Sequence, residues 1–301
     1  MLSKARPTVV SCTLSHATPR MLLRSPMRPQ PGARYRAGTA ARLSSPAGLH
    51  RRPWLGRLRR ALDRELFVVH YQPIVCLREG RVAHYEALVR LADEAASSPI
   101  APGRFLPAAE RYGLVREIDR YVVDTVTQLL ASSSPALADT PRVAINLSAL
   151  SLTDATMLEH IRRALARHAV APSRLVFELT ETAAITNMAL ARSFCADVRA
   201  LGCAVALDDF GAGFGSFQYL KALPFDYLKI DGGFVRSLPR SPKDQLVVQA
   251  LVGLARGMGK RTIAEYVGDR DTLRLLRRFG VDYAQGYEIG RPRPIASLTG
   301  I

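Results

Sequence analysis

Acidic side chains occur where the apolar pattern of the sequence predicts that a buried strand ends. Asp208 and Asp209 follow the apolar run 203–207 and precede a loop that contains Gly211, Gly213 and Gly215. Two adjacent carboxylates repel each other and resist desolvation unless a cation lies between them. The pair therefore predicts a cation-binding site at the end of this strand.

Similar polar residues interrupt or end six other strand candidates. The full set is Glu86, Asn146, Glu178, Asp208 with Asp209, Lys229, Glu265 and Gln285. Five carboxylates against one lysine would be electrostatically unfavourable in a barrel interior without a metal ion. Oxygen ligands without histidine or cysteine favour Mg²⁺ or Mn²⁺ over zinc. We expect two such ions, with Asp208 bridging them.

The elements that would position these residues alternate between strands and helices. Apolar and β-branched runs lie at 67–75, 82–91, 142–148, 174–180, 203–209, 225–231, 262–267 and 282–290. Eight strands with intervening helices indicate an α/β fold, a TIM-like (β/α)8 barrel, whose strand ends meet at one mouth. Only residues 76–81 separate the first two strands, and a parallel crossover needs about a dozen residues. The first strand is therefore predicted to be antiparallel.

Helix signals accompany the strand pattern. Ser241, Pro242 and Asp244 are typical of an N-cap, a first-turn proline and an acid at the third helical position. The buried stripe of this helix is predicted at Leu246, Val247, Ala250, Leu251 and Leu254, and that of an earlier helix at Leu190, Phe194, Val198 and Leu201. Leucines at 55, 58, 62 and 66 predict an amphipathic lead-in helix over residues 54–66.

The formal net charge of +16 arises mainly from the beginning of the chain. Residues 1–62 hold 13 Arg and Lys and no acid, whereas the rest holds 29 basic and 26 acidic side chains. A nucleic-acid surface would be a basic face of the domain itself, so no direct nucleic-acid binding is expected. Residues 1–53 are predicted to be a basic, disordered and dispensable tail, with a transit peptide, a contact with an anionic surface or translation from an upstream start as alternatives.

Two classes of protein are disfavoured by the remaining composition. No apolar run approaches the roughly 18–20 residues that span a bilayer, so no membrane span is expected. Four cysteines lack metal-type or redox-type spacing, which favours a reducing compartment without disulfides.

Eight motifs resemble the EAL domain family, whose members are bacterial cyclic di-GMP phosphodiesterases. The motifs are YQPIV (71–75), EALVR (86–90), NLS (146–148), ELTE (178–181), DDFGAG (208–213), KID (229–231), AEYV (264–267) and QGY (285–287). They are collinear from about Leu55 to Pro294, and we assign the EAL domain to residues 67–296. The resemblance implies hydrolysis of cyclic di-GMP to linear 5′-pGpG, a homodimer and a bacterial cytoplasmic location.

The resemblance also implies a role for each matching residue. The first metal would be held by Glu86, Asn146, Glu178 and Asp208, and the second by Asp208, Asp209 and Glu265. The catalytic residues would be Lys229, which orients or deprotonates the attacking water, with Glu265, Gln285 and Glu181, which steadies the loop after Asp209. The substrate would contact Gln72, Arg90 and Asp231.

Some positions depart from the family pattern and leave an alternative function open. Gly268 stands where the family usually has an acid, and Ala212 and Gly215 stand where it commonly has Thr and Ser. The alternative is a catalytically impaired EAL domain that acts as a cyclic di-GMP receptor or a protein-interaction module. Gly268 could also mark only a turn, and Arg90 could pair with an acid in the barrel wall.

Overall fold

Eight strands close into a barrel in the computed structural model, which describes residues 52–93, 98–132, 142–211 and 218–297. The strands are β1 Phe67–Cys76, β2 Val82–Leu91, β3 Arg142–Asn146, β4 Leu175–Thr180, β5 Ala204–Phe210, β6 Tyr227–Ile230, β7 Arg261–Ala264 and β8 Tyr283–Gln285. Pairing is parallel from β2 to β8, and β1 closes the barrel by antiparallel pairing with β2 and β8. The TIM-like barrel with a reversed first strand is confirmed.

Helices follow most strands and surround the barrel. They are α1 Arg52–Asp63, α2 Leu106–Arg111, α3 Val115–Ser132, α4 Ala149–Leu152, α5 Met157–Arg167, α6 Glu181–Thr186, α7 Met188–Ala200, α8 Gln218–Ala222, α9 Gly232–Val235, α10 Pro242–Gly257 and α11 Arg270–Phe279. The predicted cap of α10 is confirmed, because the Ser241 hydroxyl accepts a hydrogen bond from the Asp244 amide. A two-residue strand, β9 Arg293–Pro294, pairs with the β1 edge.

Successive side chains of a strand point alternately into the barrel interior and into the core between the barrel and the helices. On β6, Tyr227 belongs to an apolar cluster inside the barrel, and Leu228 and Ile230 belong to the core between barrel and helices. Side chains two residues apart share a face, so Lys229 points inward like Tyr227. All four residues are buried, which explains why the strand forms a nearly continuous apolar run.

Several predicted boundaries are wrong. The lead-in helix ends at Asp63 instead of residue 66, because Glu65 has a positive φ of 53° that a right-handed helix does not allow. The eighth strand spans three residues instead of 282–290, since Gly286 has a φ of 157° and breaks the extended run. The third strand ends at Asn146 because Ser148 is the N-cap of α4, and the seventh ends at Ala264 before the positive φ of Tyr266.

The predicted helix stripes are also partly wrong. On α10 the buried residues are Val248, Leu251, Val252 and Ala255, and Leu246 is 68% exposed. Leu190 on α7 is likewise exposed, whereas Phe194 and Val198 are buried. The run LVVQALVGLA is apolar on more than one side, so its pattern is compatible with two stripes.

Two expectations from composition can be compared with the described residues. Within them, no helix combines the length and the apolar character that a membrane crossing requires. Cys76, Cys195 and Cys203 are free thiols. The predicted tail lies outside the described residues up to residue 51.

Candidate metal centre at the barrel mouth

Inward-facing polar side chains gather at one end of the barrel, where the parallel strands have their carboxyl-terminal ends. In the strand registers Gln72 lies opposite Glu86, and Asn146 lies opposite Glu178. Seven of the polar side chains in this mouth are buried, namely Gln72, Glu86, Glu178, Asp208, Lys229, Glu265 and Gln285. The structure therefore brings together groups that are up to 213 residues apart in sequence.

The Lys229 ammonium lies at the centre of this mouth. Its Nζ is 2.7 Å from Glu178 Oε2, 3.0 Å from Asp208 Oδ1 and 2.8 Å from Glu265 Oε1. Glu86 Oε1 lies 4.0 Å away. The observed partners of the lysine are therefore carboxylates. It supplies one positive charge to four nearby acids.

Two side-chain amides hold Glu86 from the other side. Asn146 Nδ2 donates to Glu86 Oε1 at 2.6 Å, and Gln285 Nε2 donates to Glu86 Oε2 at 2.5 Å. Gln285 also donates to Gln72 Oε1 at 3.1 Å, and Gln72 donates to the Gly290 carbonyl at 3.0 Å. Because both oxygens of Glu86 accept hydrogen bonds, its carboxylate is fixed in orientation.

Burial and mutual repulsion make ionisation of the carboxylates energetically unfavourable. Burial raises the pKa of Glu178 well above its ordinary value, and Glu86 and Asp208 raise it further while Lys229 opposes them. Burial likewise raises the pKa of Glu265 to about 8. Burial alone would lower the pKa of Lys229, but Asp208, Glu178 and Glu265 raise it well above its usual range. The ammonium is therefore firmly protonated.

The residues present fit a divalent cation. Asp208, Asp209 and Glu265 each offer a carboxylate oxygen, and these atoms lie within 4.8 Å of one another. Glu178 Oε1 is buried and has no hydrogen-bond partner within the described residues. A buried carboxylate oxygen without a partner is unfavourable unless a cation satisfies it. Oxygen donors of this kind suit Mg²⁺ or Mn²⁺.

Backbone strain occurs at this same group. Asp209 has a φ of 55° and Tyr266, which follows Glu265, has a φ of 53°. Non-glycine residues seldom adopt positive φ, and such residues cluster at functional sites. Side chains of adjacent residues normally point to opposite sides of a strand. Here the strained backbone lets the carboxylates of Asp208 and Asp209 approach each other and that of Glu265.

Glu181 contacts the backbone that follows Asp209. It begins α6, and its Oε2 accepts a hydrogen bond from the Gly211 amide at 2.9 Å. The loop positions Ala212 and Gly215 lie outside the described residues.

The three predicted substrate contacts have different surroundings. Gln72 lies in the mouth with Gln285. Arg90 is partly buried and donates to the Val89 carbonyl at 2.9 Å, with no described carboxylate within salt-bridge distance. Asp231 caps α9 by accepting from the Gly233 amide at 2.8 Å, so its observed contact is with the backbone.

Sequence reasoning missed one residue that supports the site. Asp119, buried on α3, accepts from the Ser148 amide at 2.9 Å and from the Ser151 hydroxyl at 2.6 Å. These bonds hold the segment that follows Asn146. The available signal was a carboxylate on the buried stripe of α3, beside Ile118 and Val122.

The fold and the site define a class of protein, a TIM-like barrel whose mouth is a carboxylate-rich candidate metal centre. The family model for the EAL domain matches residues 55–292. The chain therefore belongs to the EAL domain family.

Curated relatives carry related names. The cyclic di-GMP phosphodiesterase PdeB of Shewanella oneidensis is 38% identical over 245 residues, which cover 81% of this chain and 28% of that protein. MucR of Pseudomonas aeruginosa, named a bifunctional diguanylate cyclase/cyclic di-GMP phosphodiesterase, is 36% identical and matches 80% of this chain and 35% of its own length. The chain thus spans about a third of the length of these relatives.

Solved structures agree with the fold. The MucR phosphodiesterase in complex with cyclic di-GMP has a TM-score of 0.77 and 36% identity, covering 82% of this chain and 99% of that one. The FimX EAL domain of Xanthomonas citri, also in complex with cyclic di-GMP, has a TM-score of 0.75 and 31% identity, covering 82% and 96%.

Proposed function

We propose that the chain hydrolyses cyclic di-GMP to linear 5′-pGpG with the help of two divalent ions, Mg²⁺ or Mn²⁺, and so lowers the level of this second messenger. The observation that carries the proposal is the buried Glu178 Oε1, which has no described partner in a mouth of crowded carboxylates. Relatives named as phosphodiesterases and a neighbour in complex with the dinucleotide support the choice of substrate.

The proposed ligands form two overlapping sets. Glu86, Asn146, Glu178 and Asp208 would hold one ion, and Asp208, Asp209 and Glu265 would hold the other. When bound, two such ions would lower the pKa of a water molecule and would place positive charge at the attacking and leaving oxygens of a phosphodiester.

The protein's own groups prepare the mouth for this chemistry. The Lys229 ammonium lies 2.7 Å from Glu178 Oε2 and 3.0 Å from Asp208 Oδ1, so its charge offsets part of the repulsion among the carboxylates. Gln285 and Asn146 fix Glu86 through hydrogen bonds to both of its oxygens. The guanidinium of Arg90 offers a planar fork that suits a phosphate of the substrate.

A turnover assay tests the proposal. Purified protein incubated with cyclic di-GMP and Mn²⁺ is expected to release pGpG, and EDTA is expected to stop the reaction. Glu86→Gln should abolish turnover, whereas Glu117→Gln, an exposed acid on α3, should leave it unchanged. Intact substrate after long incubation of folded protein would contradict the proposal.

A specific observation keeps a second candidate, a cyclic di-GMP receptor without turnover. Gly268 lacks the acid that the family usually carries, and a Cβ built at this glycine would have Tyr266 O as its nearest neighbour, at 3.9 Å. A side chain therefore fits at position 268, so packing does not require a glycine there. If the chain binds the dinucleotide without cleaving it, and Gly268→Glu confers turnover, the receptor function is supported.

We also infer a homodimer and a cytoplasmic location from the family resemblance. Glu181 and its bond to the Gly211 amide would then link the dimer contacts to Asp209. Sedimentation of the purified chain as a monomer at micromolar concentration would contradict the dimer.

A further inference from the structure

A basic cavity lies at the end of the barrel opposite the mouth. It is lined at the starts of β3, β5, β6 and β7 by Arg142, Ala204, Tyr227 and Arg261, and its volume is about 330 Å³. We call it the basal cavity. Small-molecule sites have volumes of roughly 300–1,000 Å³, so it is large enough for a compact ligand.

The lining residue Tyr227 packs against a buried aromatic group that carries no charge. His84 is buried between Tyr227 and Tyr283, with ring centroids 5.1 Å and 5.0 Å away and edge-to-face geometry. Burial lowers the pKa of His84 to about 3, with Arg142 and Arg261 adding to the effect. The imidazole is therefore neutral near pH 7 and contributes no charge.

Two guanidiniums of the cavity lining lack a carboxylate partner among the described residues. Arg142 Nη1 donates to the Tyr227 hydroxyl at 2.5 Å, and Arg261 Nη1 donates to the Tyr283 hydroxyl at 2.7 Å. No described carboxylate lies within salt-bridge distance of either guanidinium. Each guanidinium has five N–H donors, so most of their hydrogen-bonding capacity faces the cavity or solvent.

The one acid among the described residues of the cavity lining is already engaged in hydrogen bonds. Asp226 pairs with Arg199 through contacts of 3.2 Å and 3.0 Å, and its Oδ2 also accepts from the Val205 amide at 3.0 Å. Asp226 therefore pairs with Arg199, and neither Arg142 nor Arg261 forms a salt bridge with it.

A third guanidinium beside the cavity has unsatisfied donors. Arg174 follows the lining residue Ser173 and immediately precedes β4. Because Val143 pairs with Leu175, the preceding residues Arg142 and Arg174 lie side by side at the beginning of neighbouring strands. Its Nε and Nη2 are buried and have no hydrogen-bond partner among the described residues. Leaving the buried donors of a charged group without hydrogen bonds is costly, so an anion at this end of the barrel would be stabilising.

We propose that the basal cavity binds a phosphate group, either inorganic or carried by a small phosphate monoester. Guanidinium groups match phosphate oxygens in planar, paired hydrogen bonds, and those of Arg142 and Arg261 line this cavity. This site is separate from the mouth and does not depend on the proposed hydrolysis.

Calorimetry on the full chain in EDTA, at constant ionic strength, tests the proposal with pyrophosphate, GMP and guanosine as probes. EDTA leaves the acidic mouth without a metal that could attract the anions. Pyrophosphate is expected to bind, and guanosine, which lacks a phosphate, is not. Binding of GMP as well as pyrophosphate identifies phosphate esters as ligands, and binding of pyrophosphate alone identifies an inorganic anion. If neither anion binds at millimolar concentration, the proposal is wrong.

Matched variants locate the binding. Arg142→Gln with Arg261→Gln should weaken affinity by at least about 10-fold, the equivalent of one charge-assisted bond. Arg277→Gln with Arg278→Gln removes the same charge from exposed positions of α11 and should leave affinity unchanged. Arg142→Lys keeps the charge while removing the planar fork, and it should also weaken binding. Equal affinity in the Arg142 variants and the α11 control would overturn the proposal.

Discussion

Replacing Lys229 by methionine removes the only positive charge from the carboxylates of the mouth among the described residues. Its ammonium lies within 3.0 Å of Glu178, Asp208 and Glu265 and is fully buried. Methionine preserves much of the volume, so the main loss is the charge. The variant therefore measures how much the acidic mouth depends on a cation.

The expected magnitude follows from this geometry. Removing one partner of a buried ion pair costs about 3–5 kcal/mol, because the remaining charges stay buried without compensation. For a domain of this size, 1 kcal/mol corresponds to roughly 2–4 °C in Tm, so we expect a loss of about 6–20 °C in EDTA. The loss should shrink as the pH falls, since burial raises the pKa of Glu265 to about 8 and protonation removes its charge.

The assay is thermal unfolding of both proteins with EDTA and with Mn²⁺. Mn²⁺ at about 100 times its Kd should add about 2.7 kcal/mol, and it should stabilise Lys229→Met more than the unmodified protein because no ammonium competes for the carboxylates. Lys243→Met, an exposed lysine on α10, is the control. If Lys229→Met costs no more than this control in EDTA, the electrostatic reasoning is wrong.

Three further predictions concern other parts of the barrel. Glu181→Ala should speed hydrogen exchange at the Gly211 amide and lower turnover, and unchanged exchange would contradict the role of the 2.9 Å bond. The pKa of His84 is about 3 in the folded state and 6.5 in the unfolded state, so its contribution to stability is present above pH 6.5 and is lost as the pH falls. In urea titrations, the unmodified protein should therefore lose about 2 kcal/mol more of its free energy of unfolding between pH 8 and pH 5 than His84→Phe does. Gly286→Ala would place a Cβ 2.2 Å from Val267 backbone atoms and should cost about 1–3 kcal/mol, whereas Gly253→Ala, with open space on α10, should gain about 0.5–1 kcal/mol. Equal effects of these two alanines would refute the packing argument.

The barrel could be predicted from local patterns because polar residues that interrupt or end most strand candidates are conspicuous among apolar neighbours. The short connection at residues 76–81 was enough to predict the reversed first strand, since chain length limits the connections that are possible. Asp208, Glu178 and Glu265 could be assigned to one mouth because parallel strands share a direction.

Other features depend on tertiary contacts that no local pattern contains. The sequence indicated that Lys229 faces inward but not that its ammonium would contact three carboxylates. The buried stripe of α10 was misplaced because its apolar residues cover more than one side, and only the neighbouring elements decide that Val248 is buried and Leu246 exposed. Asp119 was missed because its partners, Ser148 and Ser151, lie about 30 residues away in sequence.

Anomalous diffraction from crystals grown with Mn²⁺ tests the central claim most directly. We expect two manganese peaks in the mouth, one beside Glu86, Asn146, Glu178 and Asp208 and one beside Asp208, Asp209 and Glu265. Crystals without a manganese peak at these carboxylates, in which Lys229 still contacts Glu178, Asp208 and Glu265, would contradict the proposed metal centre.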